Sequence, residues 1–221
     1  MAEPIEDGIF REIDEELRQE NFAKLWKKYG NLIIAGAIVL VVAVGGYQGW
    51  RNYDLNARTD QGERFAAAVQ MAQNGSIDAA LEDLNTLYGD ADSGYRLLSA
   101  FQNAGLQSRK SDGADAVAAY DRIANDGGVD DIYQDLARLL AATVMINLEI
   151  GDQELLARLQ PLNNDANPWR HGARELLAVV AERSGDKEKS RNIFKSLTED
   201  ATAPQGIRQR AAEMLAALGG K

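Results

Sequence analysis

Apolar residues follow two patterns along the chain, one continuous and one periodic. The continuous pattern is the stretch from Asn31 to Trp50, which contains no charged residue. A helix needs about 20 mostly apolar residues to cross the ~30 Å hydrocarbon core of a bilayer. The stretch therefore predicts a transmembrane helix over residues 31–50. Its candidate membrane residues are Asn31, Leu32, Gly36, Val42, Gly45, Gly49 and Trp50.

Residues at both ends of this stretch support insertion into a membrane. Basic and aromatic side chains flank it, and such side chains anchor helices at membrane interfaces. They are Lys24, Trp26, Lys27, Lys28 and Tyr29 before the stretch and Tyr47, Trp50, Arg51 and Tyr53 at its end. Two alternatives stay open, a buried core helix and a signal peptide cleaved near Ala43 and Gly45. The long acidic segment in front argues against a signal peptide, because a signal n-region is short and basic.

The basic residues also predict the orientation of the span. Cytoplasmic flanks carry an excess of Lys and Arg, and three lysines lie directly before the span. We therefore expect a cytoplasmic N-terminus and a translocated C-terminal domain. Residues 1–30 form an acidic arm, which is either a solvated tail or an amphipathic docking segment. Gly45 and Gly49 form a G-x-x-x-G pair, which is typical of close helix contacts but also of glycine use in membrane helices generally.

After a linker over residues 51–56, the pattern changes to a series of short amphipathic helices. Apolar residues recur at helical spacing, and turn signals separate the segments. We expect helices over residues 58–74, 77–88, 94–107, 112–125, 130–150, 153–160, 168–184, 187–197 and 204–218. Ser76 is predicted to cap the second of these helices and Asn167 the seventh. No period-2 pattern occurs, so residues 57–221 are predicted to form one all-α domain.

The second helix of each pair carries a small, a large and an apolar residue at positions i, i+4 and i+7. The copies are Ala80/Leu84/Leu87, Ala116/Tyr120/Ile123 and Ser190/Phe194/Leu197, with a degraded copy at Leu156/Gln160. They follow one another at spacings of 36, 40 and 34 residues. Tetratricopeptide repeats have a period of ~34 residues with Ala and Phe at these positions. The pattern predicts a degenerate tetratricopeptide-like solenoid, with an irregular helical bundle as the alternative.

The composition narrows the function classes. Residues 57–221 carry 18 Lys and Arg against 25 Asp and Glu, so we expect no nucleic-acid partner. The chain has no cysteine, which excludes disulfides, thiolate metal sites and a cysteine nucleophile. No phosphate-binding loop, zinc-protease motif or serine-hydrolase motif occurs. The single histidine, His171, is expected to cap a helix or lie at the surface, and we expect neither enzyme activity nor a cofactor. The aromatic residues expected in the core are Tyr95, Tyr120, Tyr133 and Phe194.

The order of the segments resembles a known family. The sharpest local match is the sequence from Leu25 to Gly30, LWKKYG, which runs directly into the span. With the acidic arm and the degenerate repeats, it is similar to the YfgM-like proteins, membrane-anchored ancillary subunits of the bacterial SecYEG translocon. The resemblance implies a bacterial inner-membrane protein with a periplasmic solenoid. It also implies partners among translocon subunits and periplasmic chaperones.

These features together predict a non-enzymatic, membrane-tethered protein-binding module. A tether raises the local concentration of a partner, and stacked helix pairs present an extended binding surface. The alternative is an oligomeric scaffold of the envelope or of cell division, whose partner is a second copy of the chain. First helices of the pairs usually face the concave side of such a solenoid. The candidate protein-binding residues are therefore Arg96, Gln102, Asn103, Arg138 and Asn147.

Overall fold

The protein is all-helical over the residues that its computed structural model describes. These are residues 4–110, 113–148 and 151–219, with side chains described except at residues 4–21 and 93. The helices are α1 (Pro4–Gln73), α2 (Ile77–Asp90), α3 (Ser93–Lys110), α4 (Ala114–Ala124), α5 (Asp131–Asn147), α6 (Asp152–Leu159), α7 (Arg170–Arg183), α8 (Lys187–Glu199) and α9 (Gln205–Ala217), with a 3-10 helix at Gln160–Leu162. No strand occurs within the described ranges, which confirms the predicted all-α fold.

Helix α1 is longer than any helix expected from the sequence. It runs from Pro4 to Gln73 without a break, because no proline interrupts the sequence between Pro4 and Asn74. It includes the predicted span, and the described part of the chain contains one helix, within residues 22–73, that is long and apolar enough to cross a membrane. The side chains of the N-terminal arm that precede residue 22 lie outside the described ones.

The chain divides into two compact units, Met1–Arg58 and Thr59–Lys221. In the first unit, residues 31–50 are all exposed. A Cβ atom added at Gly36, Gly45 or Gly49 would meet no atom within 4 Å. No residue of the span is therefore buried within its own unit.

The second unit consists of helix pairs whose second members carry the predicted repeat pattern. The small, large and apolar residues of the first, second and fourth copies are all buried. They are Ala80, Leu84 and Leu87 in α2, Ala116, Tyr120 and Ile123 in α4, and Ser190, Phe194 and Leu197 in α8. Because residues spaced by four and three share one face of a helix, each copy turns one continuous apolar face towards its neighbours.

The third copy lies one residue away from its predicted position. Leu156 is only half-buried and Gln160 is exposed, whereas Leu155, Leu159 and Leu162 are fully buried. These three leucines have the i, i+4, i+7 spacing of the other copies, so the assignment to Leu156/Gln160 is wrong. The pattern was hidden because leucine occupies the small position here and Pro161 turns the end of the helix into a 3-10 helix.

Most of the buried apolar residues in the described part of the chain form four clusters, and each cluster joins three consecutive helices. The first includes Ala68 of α1, Leu84 of α2 and Leu106 of α3. The later clusters join α3, α4 and α5, then α5, α6 and α7, and finally α7, α8 and α9. Each second helix thus packs against its own first helix and the first helix of the next pair. This succession is the packing of a solenoid, in which each repeat contacts only its neighbours.

The helix boundaries depend on turn chemistry that the sequence indicated only in part. Gly75 and Gly185 end α1 and α7 with φ angles of +88° and +86°, a region that costs other residues about 1–2 kcal/mol. Ser76 precedes α2, but its side chain makes no capping hydrogen bond, so the predicted cap is absent. Asn167 does not cap a helix directly either. Its side chain accepts a hydrogen bond from the backbone N–H of Trp169 at 2.8 Å, and α7 begins only at Arg170.

Two further predicted helix ends cannot be compared with the structure. The start of the fourth predicted helix, Asp112, and the end of the fifth, Ile150, lie outside the described residues. The described parts of those helices, α4 and α5, are the second and first members of consecutive pairs. They therefore hold the same places in the repeat as predicted.

Candidate protein-binding groove

A groove of about 860 Å³ lies between α3 and α5, the first helices of two consecutive pairs. Most of its lining is apolar. Helix α3 contributes Leu97, Leu98, Ala100 and Phe101, and helix α5 contributes Tyr133, Leu136 and Leu140. We call this feature the α3–α5 groove.

Large apolar side chains are exposed to solvent at this groove. Leu98 is 51% exposed and Tyr133 is 42% exposed. Ile132, next to Tyr133 in the chain, is 46% exposed. Among the described residues of the second unit, no other large apolar side chain is exposed. An exposed apolar patch bordered by polar residues is typical of an interaction site.

Buried contacts behind the groove fix the positions of α3 and α5. The rings of Phe101 and Tyr120 pack with their centroids 6.3 Å apart, and Tyr120 belongs to the cluster that joins α3, α4 and α5. Burial raises the pKa of the Tyr120 phenol. The groove is therefore supported by the repeat core and not by mobile side chains alone.

The loop between α4 and α5 forms one edge of the groove and is held by hydrogen bonds. The side-chain amide of Gln134 donates to the backbone oxygens of Asp126 and Val129, at 3.1 and 2.8 Å. The backbone N–H of Gly128 donates to the Asp126 carboxylate at 2.9 Å. These bonds hold the loop from Asp126 to Val129. Asp126 and Asp130 both line the groove, and we call these two residues the acidic rim.

Among the residues that the structure describes, Arg96 is the one cation that lines the groove. Its guanidinium lies 3.5 Å from the Asp126 carboxylate and 5.9 Å from the ring centroid of Tyr88. Asp130 stands at the N-cap of α5, and its side chain makes no capping hydrogen bond there. The groove thus has an apolar lining, one partly neutralised cation and an acidic rim.

The five residues predicted to bind partners are not brought together. Arg96 lines the α3–α5 groove, and Asn103 lines a smaller pocket between α2, α3 and α4. Asn103 is buried, donates to the backbone oxygen of Leu81 at 3.3 Å and accepts from Gln107 at 2.6 Å. Gln102 is half-buried and Asn147 is exposed at the end of α5. Their role in binding stays a prediction.

Arg138 lies in a separate pocket of about 320 Å³, lined by residues of α4, α5 and α6. Its guanidinium donates to Asp135, to Gln134 and to the backbone oxygen of Ala124. In the same pocket Arg158 donates to Asp121 at 2.8 Å and to Glu154 at 3.3 Å. The hydrogen bond with Asp121 raises the pKa of Arg158. Both arginines are therefore engaged in contacts that join helices of the solenoid.

His171 is buried, so its predicted capping or surface role is wrong. Its Nε2 atom lies 3.4 Å from the Thr202 hydroxyl, and its Nδ1 atom lies 3.5 Å from the Asp200 carboxylate. Burial is the main cause that lowers the pKa of His171. Position 171 shares a helix face with the buried residues Ala178 and Ala181, and this periodicity could have predicted its burial. Within the described ranges, no group of His, Asp and Glu side chains could hold a metal ion.

Sequence reasoning missed the residues that distinguish the α3–α5 groove. Tyr120 and Phe194 are buried as expected, but Tyr133 is exposed, so its prediction as a core residue is wrong. Leu98 was not singled out. The sequence does place Leu98 and Tyr133 on the first helices of their pairs. Periodicity, however, does not show which apolar side chains of those helices stay unpacked.

Comparisons with known proteins agree with the repeat architecture. A family model described as a tetratricopeptide repeat-like domain matches residues 23–217. No curated protein and no solved structure matches the chain. The matched range includes the predicted span and helices α2 to α9.

Proposed function

The chain belongs to the tetratricopeptide repeat-like domain family, and from this membership we propose that it is a non-enzymatic, membrane-tethered protein-interaction module. Domains of this architecture act by presenting an extended surface to other proteins. The observation that carries the proposal is the α3–α5 groove, where Leu98 and Tyr133 remain exposed on an otherwise well-packed solenoid. Partner proteins bind there.

The span over residues 31–50 supplies the tether. Residues 1–30 form the cytoplasmic arm, residues 51–56 a linker that is helical as part of α1, and residues 57–221 the periplasmic domain. A single span of this kind confines the domain to a layer near the membrane and so raises its effective concentration towards membrane-bound partners. The lysines before the span support a cytoplasmic N-terminus.

The partner machine is the bacterial Sec translocon, which the protein joins as an ancillary subunit. The segment LWKKYG at residues 25–30, followed by the span and the repeat domain, supports this assignment by its resemblance to the YfgM-like family. In this arrangement the periplasmic domain links the translocon to periplasmic chaperones or to emerging clients. The module itself carries out no chemical step.

Affinity capture of the intact protein from native membranes in mild detergent tests this function. We expect translocon subunits and periplasmic chaperones among the proteins that follow it. A matched control replaces residues 31–50 with an unrelated apolar helix, which keeps the tether and removes any contact specific to this helix. We expect partial loss of the translocon from this variant, because close packing at Gly45 and Gly49 is gone. Absence of the translocon from both samples would refute the assignment.

Protease treatment of spheroplasts tests the orientation. Protease added outside should digest the chain beyond about residue 54 and leave the N-terminal arm intact, as the positive-inside rule requires. Protection of the repeat domain would show the opposite orientation. Recovery of a freely soluble repeat domain in the periplasm would show a cleaved signal peptide instead of an anchor.

A further inference from the structure

We propose that the α3–α5 groove binds a cationic amphipathic segment of a partner protein, with apolar side chains in the groove and Lys or Arg side chains at the acidic rim. This inference rests on the proposed function as a protein-interaction module. It adds the chemical class of the segment that the module recognises and the residues that recognise it.

The apolar part of the site is an opening in the packing between neighbouring first helices. Leu97, Ala100 and Phe101 of α3 and Leu140 of α5 contact the buried cluster behind the groove, while Leu98 and Tyr133 stay exposed in front. Burial of apolar surface contributes about 25 cal/mol per Å² to the free energy of binding. An incoming apolar side chain therefore gains most binding free energy by covering these two residues. Aromatic residues such as Tyr133 are frequent energetic centres of interfaces.

The charged part of the site selects against acidic partners. Asp126 and Asp130 face the groove together with Arg96, so carboxylates outnumber cations in the lining. The helix dipole at the start of α5 adds only about half a positive charge. Asp131, which follows the rim, is exposed as well. The local field is therefore negative, and so is the net charge of residues 57–221 as a whole. A cationic segment is attracted, whereas an acidic one is repelled.

The same charges disfavour other occupants. A nucleic acid would bring phosphates to the acidic rim. A second copy of the chain, docked groove to groove about a two-fold axis, would bring the two acidic rims towards each other. A segment with two or three apolar anchors between basic residues satisfies both parts of the site, in the way that amphipathic helices occupy apolar grooves.

Peptide binding to the full-length protein in neutral phosphatidylcholine nanodiscs tests the proposal. Three fluorescent peptides of equal length serve as probes: one of Leu, Phe and Lys, one with Glu in place of Lys, and one with Ser in place of Leu and Phe. Empty nanodiscs give the blank for binding to lipid. We expect the first peptide to bind about tenfold more tightly than either of the others, which corresponds to a difference of about 1.4 kcal/mol.

Variants of the chain assign the binding to the groove. Leu98→Ala and Tyr133→Ala should each weaken the binding of the first peptide by about tenfold, as truncation of a central interface residue does. Asp130→Asn should reduce the preference for Lys over Glu and flatten the salt dependence of binding. Asp115→Asn removes an exposed carboxylate of α4 and serves as the matched control, which should change neither property. All four changes are at exposed positions, so thermal unfolding should be nearly unchanged.

Several outcomes would overturn the inference. Equal binding of the Lys and Glu peptides would show that the acidic rim does not select the charge of the segment. Unchanged binding of the first peptide by Leu98→Ala and Tyr133→Ala would show that the groove is not the binding site. A dimer of the wild type that dissociates on Leu98→Ala would make a second copy the occupant.

Capture from native membranes separates this inference from the proposed function. If the wild type captures the translocon, Leu98→Ala/Tyr133→Ala does not, and the wild type binds none of the peptides, the inference fails and the function stands. If peptides bind in the groove and no translocon is captured, the function fails and the inference stands.

Discussion

Arg183, the last residue of α7, donates a hydrogen bond of 2.8 Å from its Nε atom to the carboxylate of Asp152, the first residue of α6. The same relationship occurs two repeat pairs earlier in the chain, where Lys110 at the end of α3 binds Asp78 in the first turn of α2. In both cases an acid at the start of a second helix binds a base at the end of the next first helix. Both charges also lie at the helix ends where the dipole favours them.

The second repeat lacks this pair because its base is replaced by a neutral residue. Asp115 lies in the first turn of α4, and Asp78, Asp115 and Asp152 are equally spaced along the chain. The corresponding end of α5 is Asn147. Asn147→Lys should therefore complete the series and raise the free energy of unfolding by about 0.2–1 kcal/mol, the usual range for an exposed ion pair. Thermal unfolding at low and high salt measures the gain, which should shrink with salt. If Asn147→Lys is equally stabilising in the Asp115→Asn background, the pair does not form.

A hydroxyl occupies one of the small positions of the repeat core. Ser190 is fully buried, and its hydroxyl has no hydrogen-bond partner. A buried polar group without a partner costs about 1–3 kcal/mol, so Ser190→Ala should stabilise the protein by about 1 kcal/mol. The mirror change, Ala116→Ser, should destabilise the second repeat by a similar amount. Chemical denaturation measures both, and a less stable Ser190→Ala variant would contradict this account of the small position.

Both the backbone conformation at position 113 and the closeness of neighbouring side chains require glycine there. Its φ angle is +85°, and an added Cβ atom would lie 2.9 Å from Val144 and 3.2 Å from Leu148. Gly113→Ala should therefore destabilise the protein by more than the ~1–2 kcal/mol that a left-handed backbone alone costs. Gly89, an exposed glycine within α2 with open space around its Cβ position, is the matched control. Gly89→Ala should instead stabilise the helix by up to about 1 kcal/mol. Equal effects of the two changes would refute the assigned role of Gly113.

The burial of His171 makes stability depend on pH. Burial, Arg170 and Arg174 lower the pKa of His171 in the folded state, and Asp200 only partly opposes them. The unfolded chain takes up the proton at the ordinary value of about 6.5, so unfolding is favoured as the pH falls below that value. Thermal unfolding of the wild type and of His171→Gln, measured from about pH 7.5 to 5, isolates this contribution. The stability advantage of the wild type over His171→Gln should decrease as the pH falls. An advantage that grows on acidification would show that the folded protein holds the proton on His171.

The sequence indicated the repeat core well because burial there follows one helical period. Ala80, Leu84 and Leu87 repeat their pattern in α4 and α8, and all are buried. The third copy was misplaced by one residue because leucine stands in the small position at Leu155. The residue type at the small position does not identify a copy of the repeat when the spacing between copies is irregular.

The candidate site was harder to predict because it depends on an absence of packing. Arg96 was identified, but its neighbours Leu98 and Tyr133 look like ordinary apolar residues of amphipathic helices. Their exposure becomes visible only in the folded chain, where they line the groove between α3 and α5. His171 illustrates the reverse case, a polar residue that lies on the buried face of its helix.

Site-specific photo-crosslinking in native cells tests most directly whether the α3–α5 groove is the protein-binding surface. A photoreactive amino acid is placed at position 98 in α3 or 133 in α5, and at the exposed position 118 of α4 as the control. The account predicts adducts with a translocon subunit or a periplasmic chaperone from positions 98 and 133 and none from position 118. No adduct from the groove, or an equally strong adduct from position 118, would contradict it.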